Sequence, residues 1–378
     1  MKLERLAISC GGTGGHFYPG LSIAREFNAA GGKALLILGG KHAKKQAETA
    51  AGFGVESLQI SALPLSKNPV RLLLFFLKDL HGYFQTRRAF SSFRPQALLC
   101  MGSFASLPPA MAAKTGKIPL FLHDGNARLG KANKKLSRFA KALALSFPSP
   151  DAAQCRCPTI LTGMPLRPEL VQGKTGKEEA IAEINRRWNK NFSPETPVLL
   201  VFGGSLGASS INRTSRMIPQ KNSGIRNVHL IHLSGPGKLQ ELKSYYENAN
   251  PENILLLESS PDMHLFYSAA DMIICRAGGS TVAELAYYAK FCVVVPYPFA
   301  AEDHQTYNAQ WLTAPGGALS VKDSDCTTEN FTKIVREWLE HQETYRKQAE
   351  KLSEIAIPDA SRRVLDMIEN ITFSGSEC

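Results

Sequence analysis

A short apolar strand running into a glycine-rich turn and then a helix occurs at the head of each half of the chain. Leu6–Gly15 reads LAISCGGTGG, and Leu200–Ala208 reads LVFGGSLGA. Glycines let the backbone turn sharply and approach a ligand closely, and a helix start offers unpaired N–H groups to an anion. Apolar runs continue through both halves with amphipathic stretches between them. In the first half they are Leu6–Ser9, Ala34–Leu38, Ala97–Cys100, Ile118–Leu122 and Ala142–Phe147. In the second they are Val198–Phe202, Val228–Leu233, Ile254–Leu257, Met272–Cys275 and Cys292–Val295. These runs lack polar alternation, so they read as parallel strands covered on both faces. The spacing predicts two doubly wound α/β domains facing a cleft, with ligands beyond the carboxyl ends of the strands. A charged stretch, Gln172 to Pro197, holds a helix over Lys177–Trp188 and separates the halves.

A chain of 378 residues accommodates two such domains, and 44% hydrophobic against 20% charged is ordinary globular composition. Lys and Arg exceed Asp and Glu by 44 to 33. That balance favours phosphate-bearing partners or an anionic membrane face. At 8% aromatic residues, with no RNA-binding signature, nucleic acid gains no further support. The eight cysteines form no pair of CxxC knuckles and read as reduced thiols. Met1–Arg5 leads straight into a strand without the apolar centre of a signal peptide. The longest apolar run, Leu72–Leu77, is far short of the ~20 residues of a membrane span.

The first loop, Gly11–Gly15, fails the dinucleotide fingerprint and lacks the lysine of a P-loop. His16 at its mouth is either a general base near neutral pH or a helix-start residue bonding the backbone. Further loops stand at Gly102–Ser106 and Gly203–Ala208. In Cys275–Leu285, CRAGGSTVAEL, a strand, a turn and a helix put Glu284 one or two turns into the helix. There it is either a carboxylate for paired hydroxyls, such as a ribose diol, or a solvated helix glutamate. Arg71–Arg94 is helical in pattern, with Leu73, Phe76, Leu77, Leu80 and Phe84 as its core stripe. Leu72, Leu74, Phe75 and Tyr83 fall off that stripe. Lys67, Arg71, Lys78, Arg87 and Arg88 flank it, and Lys131, Lys134, Lys135 and Arg138 lie on another segment. An apolar patch ringed by cations suits an anionic leaflet; a helix buried on two sides is the other reading.

Read in order, GGTGGHFYPG, HDGN at His123–Asn126, TGMPLR at Thr162–Arg167, FGGSLGASSIN at Phe202–Asn212, CRAGGSTVAEL and EDHQTYNA at Glu302–Ala309 span most of the chain. The set resembles the MurG family of bacterial UDP-N-acetylglucosamine transferases, which convert lipid I to lipid II. The resemblance implies an inverting, metal-independent GT-B enzyme of two Rossmann-like domains that needs no cofactor. It implies an acceptor and membrane-side domain over 1–163, with residues 357–378 packed back on it, and a UDP-GlcNAc domain over 164–356. Its partners are UDP-GlcNAc, undecaprenyl-pyrophosphoryl-MurNAc-pentapeptide and the anionic cytoplasmic face of the inner membrane, to which it is peripheral, with no nucleic acid.

By motif position, the resemblance makes His16 the base for the MurNAc 4-hydroxyl. Thr13, Gly14, Gly15 and Asn126 fall on the acceptor, Ser205 on the donor diphosphate and Arg167 on the nucleotide side. Glu284 falls on the ribose, Gly279 and Gln305 on the sugar, and Met263 near the uracil. The pattern departs at Asp124-Gly125, where Glu-Gln is usual, and at Met164, where Asn is usual. It departs again at Leu206, where Gln is usual, and at Ser259-Ser260, where Phe-Ile is common. Two rival readings are a GT-B transferase with another lipid acceptor and a non-catalytic UDP-sugar-binding subunit that docks at a membrane. GGTGGH and HDGN oppose the first, and intact His16, Glu284 and Gln305 oppose the second. Asp323-Ser324-Asp325 matches a metal-binding DxD pattern but lies outside the glycine loops, which favours chance.

Overall fold

The computed structural model describes residues 2–63, 68–204, 207–215, 225, 227–247 and 251–374, except the side chains of 69–71. The chain divides into two compact units. One comprises Met1–Arg167 with Ile357–Cys378, and the other Pro168–Ala356.

The first unit holds strands β1 (Arg5–Ser9), β2 (Lys33–Gly39), β3 (Glu56–Ile60), β4 (Ala97–Cys100), β5 (Leu120–Asp124), β6 (Ala142–Leu145) and β7 (Thr159–Leu161). They form one sheet in the order β3-β2-β1-β4-β5-β6-β7, and all its pairings are parallel. The second unit holds β8 (Val198–Phe202), β9 (His229–Leu233), β10 (Ile254–Leu257), β11 (Met272–Cys275), β12 (Phe291–Val294) and β13 (Ala318–Ser320). These are parallel too, in the order β10-β9-β8-β11-β12-β13. In each sheet the winding reverses between the first strand and the fourth, β1/β4 and β8/β11. That switch point is where doubly wound sheets open a crevice at their carboxyl edge.

Successive side chains of these strands alternate between two apolar layers, which is why the sequence shows runs instead of alternation. On one face of the first sheet Leu6, Ile8, Leu36, Leu38 and Leu99 pack with Phe27. On the other, Ala7, Ile37, Leu98, Leu122 and Leu143 pack with Phe90 and Leu136. The helix Ala360–Phe373 closes the first layer with Val364, Leu365 and Ile368 against the helix Gly14–Ala29.

The chain leaves the first unit later than Gly163. Thr162 and Gly163 donate their amides to Leu145 O at 3.0 and 3.1 Å, and Met164 is buried. Met164 and Arg167, expected in the second domain, therefore belong to the first.

The long helix Pro69–Phe93 corrects the expected core stripe. Leu73, Phe76, Leu77, Leu80 and Phe84 are 54–61% exposed, whereas Phe75, Asp79, Thr86 and Phe90 are buried. Phe75 and Phe90 bury their rings, while between them, at Asp79, Gly82 and Thr86, the inward face is small and polar because it meets backbone. A Cβ at Gly82 would lie 2.2 Å from Ser61 O, Thr86 Oγ1 donates to Gly82 O at 2.8 Å, and Asp79 Oδ1 accepts from Leu63 N at 3.4 Å. Tyr83 Oη meets Thr115 Oγ1 at 3.0 Å on the adjoining helix Leu107–Thr115. Leu107 and Met111 extend the exposed apolar surface, and Lys114 stacks on the exposed Phe139 ring at 3.8 Å. Lys78, Arg87, Arg88, Lys131, Lys135 and Arg138 are exposed, while Lys134 pairs with Asp151 at 3.3 Å. Lys67 and the Arg71 side chain lie outside the described residues. Among the described residues no helix is long and apolar enough to cross a membrane.

This inverted mounting makes opposite demands on neighbouring positions. Gly82→Ala drives a methyl into Ser61 O and should cost about 1–3 kcal/mol. Leu80→Ala should fall within about 0.5 kcal/mol of the parent. Urea unfolding of both variants measures the contrast, and a larger loss for Leu80→Ala would restore the core-stripe reading.

Candidate functional site

In the first unit, the turn after β1 is possible only with glycine at its first position. A Cβ on Gly11 would lie 2.2 Å from Gly39 N at the end of β2. Gly12 has φ +108°, and its Cβ position is 3.4 Å from Ser103 Cβ, so the loops after β1 and β4 touch at the switch point. Thr13 then sits in extended conformation at the start of the helix Gly14–Ala29 and makes no side-chain cap bond to the backbone. His16 N and Phe17 N return to Thr13 O at 3.2 and 3.1 Å. The amides of Gly14 and Gly15 belong to the first turn, which has no intrahelical acceptor for them. Thr13 Oγ1 lies 3.0 Å from His16 Nδ1. If Nδ1 carries the proton and donates it to the hydroxyl, Nε2 keeps the lone pair a base requires. His16 is half-buried and Thr13 exposed, so a ligand has access to both.

The loop after β5 supports this turn from beneath. Asp124, buried, accepts from Gly130 N at 2.8 Å, from Asn133 Nδ2 at 2.9 Å and from Asn126 N at 3.2 Å. Asn133 Nδ2 also donates to His123 O at 2.9 Å. Asn126 is thus fixed through its backbone. Gly125 and Met164, read from the sequence as separate departures, meet each other. A Cβ on Gly125 would lie 3.1 Å from Met164 Cε and 3.9 Å from Gly15 O. The room left by the missing side chain is lined by the methionine. Arg167 lies 5.6 Å over the Tyr18 ring, and that ring lies 3.5 Å from the Cβ position of Gly14. A cation therefore stands beside the helix start.

In the second unit, the turn after β8 shows the same constraint: a Cβ on Gly203 would lie 2.0 Å from Ala208 N. Ser205 and Leu206 lie outside the described residues. The helix Ser209–Ser215 that follows is anchored by Asn212. Its Nδ2 donates to Ser234 O at 2.8 Å, and its Oδ1 meets His232 Nε2 at 3.1 Å. His232 Nδ1 lies 2.9 Å from Tyr246 Oη, and burial pushes the imidazole down to about 3, so it serves as a neutral coupler.

After β11 the extended Gly278 opens the helix Gly279–Tyr288 without a side-chain cap. Glu284 stands on its second turn and is 9% exposed, which removes the solvated reading. Tyr267 Oη donates to its Oε2 at 2.7 Å, and Tyr267 is packed edge-on to Phe202. Gln305 is the second residue of the helix His304–Thr313, and its Oε1 accepts from Tyr297 N at 2.9 Å. Glu302 and Asp303 precede that helix at φ +54° and +52°, two consecutive left-handed residues without glycine. Asn308 Nδ2 donates to Ala277 O at 3.0 Å and ties this helix to the turn holding Gly279. Met263, buried, begins the helix Met263–Ala269, and Ser260 Oγ accepts from Asp262 N at 3.0 Å just before it.

Three site-shaping residues escaped the sequence reading. Arg276 and Asn308 stood inside quoted motifs without an assigned role, while nothing in the local sequence marks Tyr267. Asp323 of the DxD-like triplet is engaged by Arg276 at 2.6 Å and by Ser210 Oγ at 2.8 Å. Among the described residues no group of three or more His, Cys, Asp or Glu is placed to hold a metal ion.

His123 and Asp124 titrate against each other. Burial, helped by the nearby His16 charge and opposed by a bond with the Gly163 backbone, lowers His123 from 6.5 to about 4. Burial lifts Asp124 from 3.8 to about 6 against its hydrogen bonds. The lowered histidine adds stability as pH rises from about 4 to 6.5, and the raised carboxyl loses it from about 3.8 to 6. Each contribution is at most roughly 3 kcal/mol, so they largely cancel. Asp124→Asn keeps one of the two accepting oxygens, enough for the Gly130 and Asn133 donors that share Oδ2, and removes one side of this balance. Its stability relative to the parent should rise by up to roughly 3 kcal/mol between pH 4 and 6. Parallel melting curves across that range would refute the opposition.

Residues 6–145 match the glycosyltransferase family 28 N-terminal domain, and residues 198–364 its C-terminal domain. The chain is 31% identical to the UDP-N-acetylglucosamine--N-acetylmuramyl-(pentapeptide) pyrophosphoryl-undecaprenol N-acetylglucosamine transferase of Elusimicrobium minutum, over 85% of this chain and 86% of that one. It is 32% identical to the protein of the same name from Geotalea uraniireducens, over 96% and 97%. Among solved structures, Acinetobacter baumannii MurG superposes with a TM-score of 0.75 at 26% identity, covering 97% of this chain and 99% of that one. A Neisseria meningitidis UDP-GlcNAc 2-epimerase bound to UDP-GlcNAc shares the fold, with a TM-score of 0.68 at 13% identity, covering 97% and 100%. Two parallel doubly wound sheets, glycine turns at both switch points and full-length similarity together place the chain in glycosyltransferase family 28, in its MurG group of GT-B transferases.

Proposed function

We propose that this chain transfers N-acetylglucosamine from UDP-GlcNAc to the MurNAc 4-hydroxyl of undecaprenyl-pyrophosphoryl-MurNAc-pentapeptide, with inversion at C1. The observation that carries the reading is the second switch point. There a buried carboxylate, Glu284, stands one turn beyond an uncapped helix start at Gly278–Gly279, in a chain whose full-length relatives bear that transferase name. Glu284, held at one oxygen by Tyr267, takes the ribose diol. The amide of Gly279 and the carboxamide of Gln305 take the sugar, the segment at Met263 lies near the uracil, and Ser205 meets the diphosphate. In the first unit Thr13, Gly14, Gly15 and Asn126 take the acceptor, whose pyrophosphate suits the first-turn amides.

The reaction needs no redox chemistry. The 4-hydroxyl oxygen bonds to C1 as its proton passes to His16 Nε2, and the C1–O bond to the β-phosphate breaks with its electron pair leaving on UDP. The Thr13 hydroxyl holds the productive histidine tautomer. Charge growing on the leaving diphosphate is met by the helix start and by Arg167, so a metal ion is not required. The exposed apolar face of Pro69–Phe93, with Leu107, Met111 and the surrounding cations, supports peripheral docking on an anionic cytoplasmic leaflet.

Purified protein, radiolabelled UDP-GlcNAc and a lipid I analogue in EDTA should yield the disaccharide product. Transfer only to diacylglycerol, or only on adding a divalent metal, would overturn the acceptor or the metal-free chemistry respectively. His16→Ala should lower kcat by about 10²–10⁴ with little change in donor KM. Glu284→Ala should weaken UDP-GlcNAc binding by about 10–100-fold, read by calorimetry.

A further inference from the structure

Arg276 follows β11 directly, and its guanidinium is buried among four of the carboxyl-edge connections of the second sheet. Nη1 donates to Val295 O at 3.2 Å and to Pro296 O at 3.3 Å, just beyond β12. Nη2 donates to Ser210 Oγ at 2.9 Å, on the helix that follows the third glycine loop. Nη1 also pairs with Asp323 Oδ1 at 2.6 Å, beyond β13, and Ser210 Oγ donates to the same oxygen at 2.8 Å. Only 11% of the Arg276 side chain is exposed. Its charge is thus spent inside the protein, on Asp323, and is not offered to a ligand's phosphate.

The next bond along the chain gives this cluster a consequence. The carbonyl that Arg276 holds, Pro296 O, belongs to the same peptide unit as the amide of Tyr297. That amide donates to Gln305 Oε1 at 2.9 Å. The peptide is therefore clamped at both ends, by the guanidinium on its oxygen and by the Gln305 carboxamide on its nitrogen. With Oε1 so engaged, the carboxamide is locked in one of its two flips, and the group it retains for a ligand is the Nε2 donor. The Tyr297 ring, 5.5 Å from the Arg276 carbon Cζ, packs over the same clamp.

We infer that Arg276 is a positioning residue for the sugar end of the donor, acting through the Pro296–Tyr297 peptide to fix which face of the Gln305 carboxamide is presented. The inference rests on the donor-site reading given under Proposed function. It assigns Arg276 an effect on N-acetylglucosamine recognition that is separate from recognition of UDP. A lysine at this position keeps the cation for Asp323, but a single ammonium does not reproduce the planar fork that spans two carbonyls and a hydroxyl.

The test is calorimetric titration of the full chain with UDP and, separately, with UDP-GlcNAc, for the parent, Arg276→Lys, Gln305→Ala and the double variant. Arg276→Lys should leave UDP affinity within about twofold and weaken UDP-GlcNAc by about tenfold. In the Gln305→Ala background the same change should add nothing to the loss of UDP-GlcNAc affinity, because the two residues act in series. Equal losses for UDP and UDP-GlcNAc would make Arg276 a general structural residue and overturn the inference. Unchanged UDP-GlcNAc affinity, or additive losses in the double variant, would overturn it as well. A parent chain that binds neither nucleotide would instead overturn the donor-site reading on which the inference stands.

Discussion

The architecture depends on two places where backbone meets backbone with no room for a side chain. At Gly11 the chain turns within contact of the end of β2, and at Gly203 it turns back on the amide of Ala208. A methyl at either position would displace main chain, which is far stiffer than a flexible side chain. Because the turns are that tight, a helix can begin within a short loop of each strand. Its first-turn amides then stay at the carboxyl edge of the sheet, where a diphosphate or pyrophosphate can reach them. The position of those amides thus follows from steric exclusion before any charged side chain is considered.

Around those turns buried polar groups hold the loops of both units. The first combines a buried hydrogen-bond network with the Asp151 ion pairs to Arg128 and Lys134. Asp124 gathers three donors, Asn133 bridges it to the His123 carbonyl, and burial keeps His123 uncharged at neutral pH. The second uses an ion pair, Arg276 with Asp323, for the loops beyond β11, β12 and β13, and the neutral pair His232–Tyr246 for the helix beyond β8. Burying a charge is costly unless it is matched. Each guanidinium or imidazole placed behind the site is accordingly partnered or neutral. His16 is different: it is only half-buried and sits at the mouth of its loop beside the Thr13 hydroxyl.

Much of this was legible in the sequence because central parallel strands are apolar on both faces. All ten expected runs overlap strands, with ends shifted by up to two residues, and the helix Lys177–Trp188 has its expected bounds. The strands that were missed, β3, β7 and β13, all lie at sheet edges. There the pattern carries glutamate, serine, glutamine and threonine, since one side meets solvent. The orientation of Pro69–Phe93 was misread for a related reason. Periodicity locates an apolar stripe but does not say what the stripe faces, and here the middle of the interior face meets backbone at Ser61, which demands Gly82, while Phe75 and Phe90 are buried to either side of it. At the site, motif order indicated Glu284 and Gln305. The hydrogen bonds that orient them come from Tyr267 and the Tyr297 amide, distant pairings with no local signature.

The contact between Gly125 and Met164 shows how similarity at about 30% identity should be carried from one chain to another. The family pattern places a glutamine and an asparagine at these positions, and this chain has replaced both. The replacements are adjacent in space, one giving up volume beside Gly15 and the other lining what is vacated. An unfilled void and an overfilled one are each penalised, so the residue at one of these positions limits what fits at the other. What results is a buried methionine against Gly125, next to the Gly15 carbonyl, where the pattern has two amides. The turn that presents Thr13, Gly14 and Gly15 is held independently, by Gly11 against β2 and by Gly12 against Ser103. The turn can therefore keep its shape whatever side chains stand at positions 125 and 164.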